Sequence, residues 1–508
     1  MADSPHFRIG TRGSDLALWQ ARYTRDLIEA GGGTCDITVL STQGDREQVQ
    51  AFEKLEGKGF FTKEIEQALL EEHVDLAVHS HKDLETRQPE GLTIAAIPPR
   101  AAATDMLLVR PQSHAHRAWL PLKHKAKVGT SSVRRRDQLL LLRPDLDIQA
   151  LRGNVPTRIK RLREGLYDAI VLATAGVQRL ELDLSDLVQV ELQPRWFVPA
   201  PAQGALALQM RSNDPKLVWL KRLTHESTAA SINTERSVLR ALEGGCQLPF
   251  GAHQKTTSAP LRSFLQGPSG PIRILSDNAI DALHRLHEPK KQRILITRSP
   301  RENDVLHRLA KASQCPLIEW PIAKPVAIEQ PEIPSWTDNA PNWVWIGSPG
   351  AACMAASWVN KNPGLQIAVP GSGTAEAVAD VLKHNIAFCG SGDPISSWKD
   401  FAQDKAVSDH IAIPHSSESL MRWKTESCAA RISSWAHYAL DTEIQTPPIT
   451  DVVCFTSPSN VDRWKGPPPL RIVAIGRTTS SALLKKGWTH KVASHPDAFG
   501  IWEALQPD

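Results

Sequence analysis

The chain has 508 residues, 59 Lys and Arg against 55 Asp and Glu, a formal net charge of +4, 41% hydrophobic and 22% charged residues. That length exceeds one ordinary core and predicts three or four domains; the balance of residue types excludes a disordered chain, and the small charge speaks against a nucleic-acid partner while leaving room for a local arginine-lined anion site. No apolar run reaches bilayer length, the start MADSPHFRIG lacks a secretory signal's basic and apolar regions, and Cys35, Cys246, Cys315, Cys353, Cys389, Cys428 and Cys454 contain no CxxC pair, so reduced thiols in a cytoplasmic protein, with no membrane partner and no metal site, are expected.

Phe7–Gly10 reads as a short strand. Ser14 then caps a helix to about Ala30, ended by Gly31, Gly32 and Gly33. Asp36–Ser41 reads as a strand, Thr62–Glu72 as a helix and Asp75–His79 as a buried strand. This β-α-β-α-β rhythm predicts an α/β unit with a largely parallel sheet. A second unit follows, with strands at Lys127–Gly129, Asp147–Leu151 and Ala169–Ala173. Helical segments at Ser132–Leu142, Val155–Glu164 and Ala175–Leu180 lie between and after them. Phe197–Met210 reads as a return crossing with a turn at Gln203-Gly204. Two α/β units joined by crossing segments enclose a cleft, a common place for small ligands. Thr224–Leu242 reads as a helix broken by Gly244-Gly245, and a short β-rich segment lies near Ser263–Ser276. After a polar junction at residues 288–291 a second α/β system begins, with strands at Arg293–Thr297, Trp343–Ile346, Gln366–Val369, Ala387–Cys389, Val452–Thr456 and Arg471–Ile475. Its turns Ser348-Pro349-Gly350 and Ser457-Pro458-Ser459 follow their strands alike, as in a duplicated two-lobed plan.

Three groups of residues carry chemistry. Val78-His79-Ser80-His81-Lys82-Asp83 ends a buried strand, where ligands of open α/β sheets bind; Asp83 there serves either as a proton-handling carboxylate or as a helix N-cap. A basic group comprises Arg12, Thr130-Ser131-Ser132-Val133-Arg134-Arg135, Arg152 and Arg158, each at a strand end near a helix start. Arginine grips carboxylates bidentately and helix N-termini favour anions, and at roughly 1.5–3 kcal/mol per charged hydrogen bond several together hold a polyanion. The third group is Leu242-Glu243-Gly244-Gly245-Cys246-Gln247-Leu248-Pro249, where two glycines put a thiol on a tight loop. Its thiol is either a nucleophile toward carbon or a small buried hydrophobe.

The stretches IGTRGSDLALWQ, EGKGFFTKEIEQALL, DLAVHSHKDL, VGTSSVRRR, LRGNVPTRI, YDAIVLATAGVQRL, PAQGALALQ and LEGGCQLPFGA resemble hydroxymethylbilane synthase (porphobilinogen deaminase), in that family's order from Arg8 to Gly251. The resemblance implies a transferase with two periplasmic-binding-protein-like α/β lobes and a small α+β domain. Domain 1 would span 1–105 and 196–222, domain 2 106–195 and domain 3 223–288. It implies a dipyrromethane cofactor held as a thioether on Cys246, with Lys82, Asp83, Ser132, Arg134 and Arg135 about it. Arg12, Ser14, Arg152, Arg158, Arg179 and Gln203 would bind substrate, and Asp83 would be catalytic. The substrate, porphobilinogen, loses ammonia to leave an electron-poor azafulvene, and a carboxylate such as Asp83 protonates the leaving amine or stabilises the cationic pyrrole. Four additions and hydrolysis give hydroxymethylbilane. His81 and Leu84-Glu85 stand where the family more often has Met and Val-Pro, and the region after Gly251 shows no clear long final helix.

From Arg293 the stretches ILITRSP, WVWIGSPGAA, IAVPGSGTAEAV, WAHYAL, VVCFTSPSNVDRW and IVAIGRTTSSALLKKGW resemble uroporphyrinogen-III synthase. That implies a two-lobed α/β region over 289–508 and a lyase that cyclises the linear product, making the chain bifunctional in porphyrin biosynthesis. Thr297, Ser348, Tyr438, Thr456, Ser457 and Thr478 are its hydrogen-bonding candidates, each Ser and Thr also suiting a turn or N-cap. Residues 391–437 match poorly, which leaves a non-catalytic second half as the alternative. A monomer is expected. A solute-binding protein fits two lobes about an anion-lined cleft but has no use for the Gly-Gly-Cys loop, and the low charge and lack of aromatic interleaving speak against nucleic acid.

Overall fold

The computed structural model describes residues 4–40, 62–115, 119–242, 248–288, 291–298, 304–336, 339–382, 386–417, 428–441 and 447–506. Contacts divide the chain into two units. One is Met1–Ser113 with His124–Leu140 and Pro144–Pro289; the other is Lys290–Asp508 with His114–Lys123 and Leu141–Arg143.

The first unit has β1 (His6–Arg12), β2 (Thr34–Leu40), β3 (Leu76–Ser80), β4 (Leu92–Ala96), β5 (Asp105–Val109), β6 (Lys127–Gly129), β7 (Asp147–Gln149), β8 (Ala169–Ala173), β9 (Val188–Leu192) and β10 (Leu206–Arg211). They form two five-stranded sheets, ordered β2-β1-β3-β10-β4 and β7-β6-β8-β5-β9. Alternation along β1 buries Phe7 and Ile9, which join Val78, Leu208 and Met210 beneath Ala21 and Ile28 of the helix Asp15–Ala30. In the second sheet Leu108, Ile170 and Leu172 pack with Ile159 and Leu162 of the helix Val155–Arg163. Asn154 caps that helix, accepting from the Thr157 amide at 2.9 Å.

The sheets are mixed, which corrects the expectation of largely parallel ones. β10 runs antiparallel to both β3 and β4, and β5 antiparallel to β8 and β9. Both β5 and β10 directly follow a crossing between the sheets, so no helix sets their direction as in a β-α-β unit. β4, β5 and β9 lie outside the repeating rhythm and went unread.

The two crossings meet. The Ala101 amide donates to the Gly204 carbonyl at 3.1 Å. Gly204 has φ +87, and a Cβ there would lie 2.6 Å from the Ala102 carbonyl oxygen, so only glycine fits this approach.

β11 (Phe250–His253), β12 (Leu261–Gly267) and β13 (Gly270–Ser276) form an antiparallel sheet. It packs Phe250, Leu261 and Ile274 against Val238 of the helix Glu226–Ala241 and against Ala282 and Leu286. The latter two belong to a final helix, Ala279–His287, which the sequence did not make plain.

The second unit contains β14 (Ile294–Ile296), β15 (Leu317–Glu319), β16 (Lys324–Ala327), β17 (Trp343–Trp345), β18 (Gln366–Val369), β19 (Ile386–Cys389), β20 (His410–Ser416), β21 (Arg431–Asp441), β22 (Val452–Phe455), β23 (Ile472–Ala474) and β24 (Lys491–Val492). A parallel sheet is ordered β15-β14-β22-β23-β24, and a six-stranded one β16-β21-β20-β17-β18-β19. In the latter the pairing of β16 with β21 is antiparallel. Trp343, Trp345, Trp398 and Phe401 fill one face of the six-stranded sheet. Among the described residues no helix is long and apolar enough to cross a membrane, and the six described cysteines are free.

Candidate functional site

β3 ends at Ser80 and passes into a single 3-10 turn, His81–Asp83. The His81 amide donates to the Ala205 carbonyl at 3.0 Å, and Arg236 Nη1 donates to the His81 carbonyl at 2.9 Å. Anchored from both sides, the turn presents Lys82 and Asp83 at fixed positions. Asp83 is exposed and is the last residue of the turn rather than its cap. Its charge acts on Lys82 and on Arg158.

Lys82 Nζ donates to Gln203 Oε1 at 3.3 Å. Burial pushes the lysine down to about 8; Asp83 opposes this, Arg135 and Arg134 reinforce it, and Asp105 opposes it too. Gln203 in turn donates Nε2 to the Ala103 carbonyl at 2.8 Å and to Asp105 Oδ1 at 3.1 Å. With those acceptors holding Nε2, the amide must turn Oε1 to the lysine.

Asp105 opens β5, is fully buried, and gathers the two adjacent arginines. Arg135 Nε and Nη2 reach its Oδ1 at 3.0 and 2.7 Å, and Arg134 Nη2 lies 2.9 Å from Oδ2. Burial works against the carboxylate's charge, but Arg134, Arg135 and Lys82 prevail and hold it down to about 2. The arginines also serve backbone acceptors: Arg134 Nη1 the Val198 carbonyl at 2.7 Å, Arg135 Nη1 that of Val171 at 3.0 Å. Ser132 Oγ accepts from the Arg135 amide at 3.4 Å, tying it to the start of the helix Val133–Leu142.

The structure thus brings Gln203, Arg134 and Arg135 together on one carboxylate, with Lys82 joined through Gln203 and Asp83 at the edge. Arg158 is half-buried, its Nε on the Gly153 carbonyl at 2.7 Å. Burial lowers it to about 10, and the nearby charges of Arg135 and Arg161 add to the shift. Arg12 ends β1 and Arg152 lies three residues beyond β7, both half-buried. Arg179 lies apart from the Asp105 cluster: its Nη2 donates to the Gly204 carbonyl at 2.9 Å and its guanidinium covers the Trp19 ring at 5.3 Å. Ser14 Oγ accepts from the Ala17 amide, so it acts as a helix cap. Cys246 lies outside the described residues.

Sequence reasoning missed Asp105 and a second buried hub. Glu235, in the helix Glu226–Ala241, accepts from Arg100 at 2.7 and 3.0 Å, from the Ala202 amide at 2.8 Å and from the Gln254 amide at 2.9 Å. One signal was available for Asp105: an acid opening the apolar run Met106-Leu107-Leu108.

In the second unit most candidate hydroxyls are taken up by neighbouring groups of the chain. Thr456 Oγ1 donates to the Thr297 carbonyl at 2.6 Å and the Thr456 amide to Thr297 Oγ1 at 3.1 Å, clamping the ends of β14 and β22. Ser348 and Ser457 cap the helices Pro349–Asn360 and Pro458–Arg463, accepting from the Ala351 and Asn460 amides. Ser348 Oγ also meets Tyr438 Oη at 3.4 Å, a second pairing of candidates from distant chain positions. Tyr438 is buried, which raises its phenol, while Ser348 and Ser416 oppose the shift. Thr478 is exposed in the first turn of the helix Arg477–Lys485.

Residues 7–218 match the family described as porphobilinogen deaminase, dipyromethane cofactor binding domain. The chain is 46% identical over 256 residues to the porphobilinogen deaminase of Nitratidesulfovibrio vulgaris (strain DP4), which covers 50% of this chain and 79% of that protein. It is 44% identical over 275 residues to that of Maridesulfovibrio salexigens, covering 52% and 87%. A crystal structure of uroporphyrinogen-III synthetase from Helicobacter pylori 26695 superposes with a TM-score of 0.29 at 15% identity, covering 42% of this chain and 98% of that one.

Proposed function

Because this chain belongs to the porphobilinogen deaminase family, we propose that its first half joins four porphobilinogen units, with loss of ammonia, on a dipyrromethane primer carried by Cys246, and releases hydroxymethylbilane by hydrolysis. Porphobilinogen deaminase activity itself follows from the family. The donor set fits a group bearing several carboxylates: Lys82, Arg134, Arg135 and Arg158 stand against two acids, Asp83 and Asp105. When bound, the dipyrromethane supplies the pyrrole carbon to which the first unit is joined.

The chain's own residues do the rest. The Asp83 carboxyl gives a proton to the departing amine, or its carboxylate holds the N–H of a cationic pyrrole. Exposure lets it reach a ligand. Arg134, Arg135, Ser132 and Lys82 hold acidic side chains of the primer, and Arg12, Arg152, Arg158 and Arg179 those of arriving units. The observation that carries this reading is the gathering of Gln203, Arg134 and Arg135 on one buried carboxylate, with Lys82 joined through Gln203 beside the exposed Asp83. The intact mass of the purified full chain tests it. We expect an excess over the sequence mass equal to a dipyrromethane unit, absent from Cys246→Ser. An unmodified, fully active chain would end the reading.

For the second half we propose closure of that linear product to uroporphyrinogen III. Its support is the run of matching stretches from Arg293 and the meeting of Tyr438 with Ser348. The internal use of Thr297, Thr456 and Ser457 favours the alternative, a non-catalytic half. The isomer formed from porphobilinogen by the full chain decides: the asymmetric isomer supports cyclisation by the protein, and the symmetric, spontaneous isomer alone supports the alternative.

A further inference from the structure

We infer that Asp105 is a positioning residue for carboxylate recognition: it presets Arg134 and Arg135 for the acidic side chains of the pyrrole ligand and links them through Gln203 to Lys82. The inference rests on the reading that these cations hold the primer.

Two guanidinium groups on neighbouring residues repel, and in a buried site that repulsion is weakly screened. Asp105 removes it by standing between them. Arg135 binds side-on, through Nε and Nη2 to the same oxygen, while Arg134 forms an ion pair with the other oxygen, its Nη2 2.9 Å away. The carbonyls of Val171 and Val198 fix the far sides of the two groups. A guanidinium has five N–H donors. The hydrogen bonds use three on Arg135 and one on Arg134, so each retains hydrogens in a plane already set, which cuts the ordering cost of gripping a carboxylate.

The position of Asp105 in the chain adds a second role. It begins the strand that follows the outgoing crossing, and Gln203 sits in the return crossing. The Gln203 amide bridges Asp105 to Lys82, at 3.1 and 3.3 Å. The cation beside Asp83 and the arginine pair are therefore fixed relative to each other at the point where the lobes of the first unit are joined.

Full-length wild type, D105N, D105E, R135Q and D105N/R135Q are compared by intact mass for primer occupancy, by KM and kcat for porphobilinogen, and by melting temperature. In D105N we expect primer occupancy to fall and KM to rise roughly ten-fold or more, with a smaller change in the kcat of the occupied fraction. D105E should recover part of the loss. In the R135Q background D105N should cost much less than in wild type, because one of the groups it orients is already gone. An equal penalty in both backgrounds, or a lowered melting temperature with occupancy and KM unchanged, would overturn the inference. If D105N does not accumulate, D105N/R135Q is set against R135Q alone: similar occupancy and KM support it, and a further ten-fold loss sinks it. Wild type without the extra mass would instead remove the underlying reading, whatever the variants do.

Discussion

The two units place polar side chains at the same kind of position, the carboxyl ends of buried strands, and use them differently. In the first, those side chains are charged. Arg134 and Arg135 are held by a shared counter-ion and by backbone carbonyls, and Lys82 by the Gln203 amide. In the second they are hydroxyls, and Thr297, Thr456, Ser348 and Ser457 are taken up in clamping strands and starting helices. A hydroxyl at a strand end satisfies a nearby backbone group at little cost. A buried cation needs an arranged counter-charge. Charged strand ends therefore mark a site more reliably than hydroxylated ones, and in the second unit attention shifts to Tyr438.

Asp83 gives the sharpest contrast. Asp83→Asn should lower the rate of porphobilinogen consumption by about 10²–10⁴-fold while the melting temperature stays put, since the side chain is exposed. Near-normal turnover would remove it from the chemistry.

The next effect concerns the second unit. Tyr438→Phe should cut the asymmetric isomer about ten-fold or more if the phenol takes part. Ser457→Ala should cost only about 1 kcal/mol of stability, as a lost cap, and leave the isomer ratio alone. The opposite pattern would make Ser457 the functional group and Tyr438 a core residue.

Lys82 supplies a pH signature. Its folded-state value of about 8 lies below that of an ordinary lysine, burial being the main cause. As pH rises through about 8 the cation is lost and kcat/KM should fall. Between about 8 and the ordinary lysine range the unfolded chain binds more protons than the folded one, so this group's contribution to stability rises with pH. Lys82→Arg should abolish the fall in kcat/KM; an unchanged profile would assign it elsewhere.

The smallest effect expected is at His81, buried with Nδ1 lacking a hydrogen bond. Burial holds this histidine neutral, well below its ordinary value, with Arg236, His79 and Arg100 adding to the shift. The unfolded chain gains the proton first, so stability is lost as pH falls below about 6.5. His81→Met should stabilise the chain by about 1 kcal/mol and flatten part of that acid limb, read by thermal melting from pH 7 to 5. A steeper limb would contradict the assignment.

Much of this was legible in the sequence because it is local. The β-α-β rhythm, the caps at Ser14, Ser348 and Ser457, and basic residues just past Gly129 and Leu151 are short-range patterns. What stayed hidden depends on distant partners. The antiparallel course of β10 is decided by its insertion between β3 and β4, and nothing in Leu206–Arg211 states a direction. Asp105 finds Arg135 at a separation of 30 residues and Gln203 at 98. Its one local mark, an acid at the head of an apolar run, names none of those partners.

Glu235 carries a further lesson. The charge of its carboxylate is shared by Arg100 and two backbone amides, which ties three segments together. Loss of the guanidinium at Arg100 would strand that charge in the dry interior, a penalty of about 3–5 kcal/mol in a chain whose whole margin is of similar order. Such a protein would keep every reacting group and still be short-lived when warmed, a lesion of endurance rather than of chemistry.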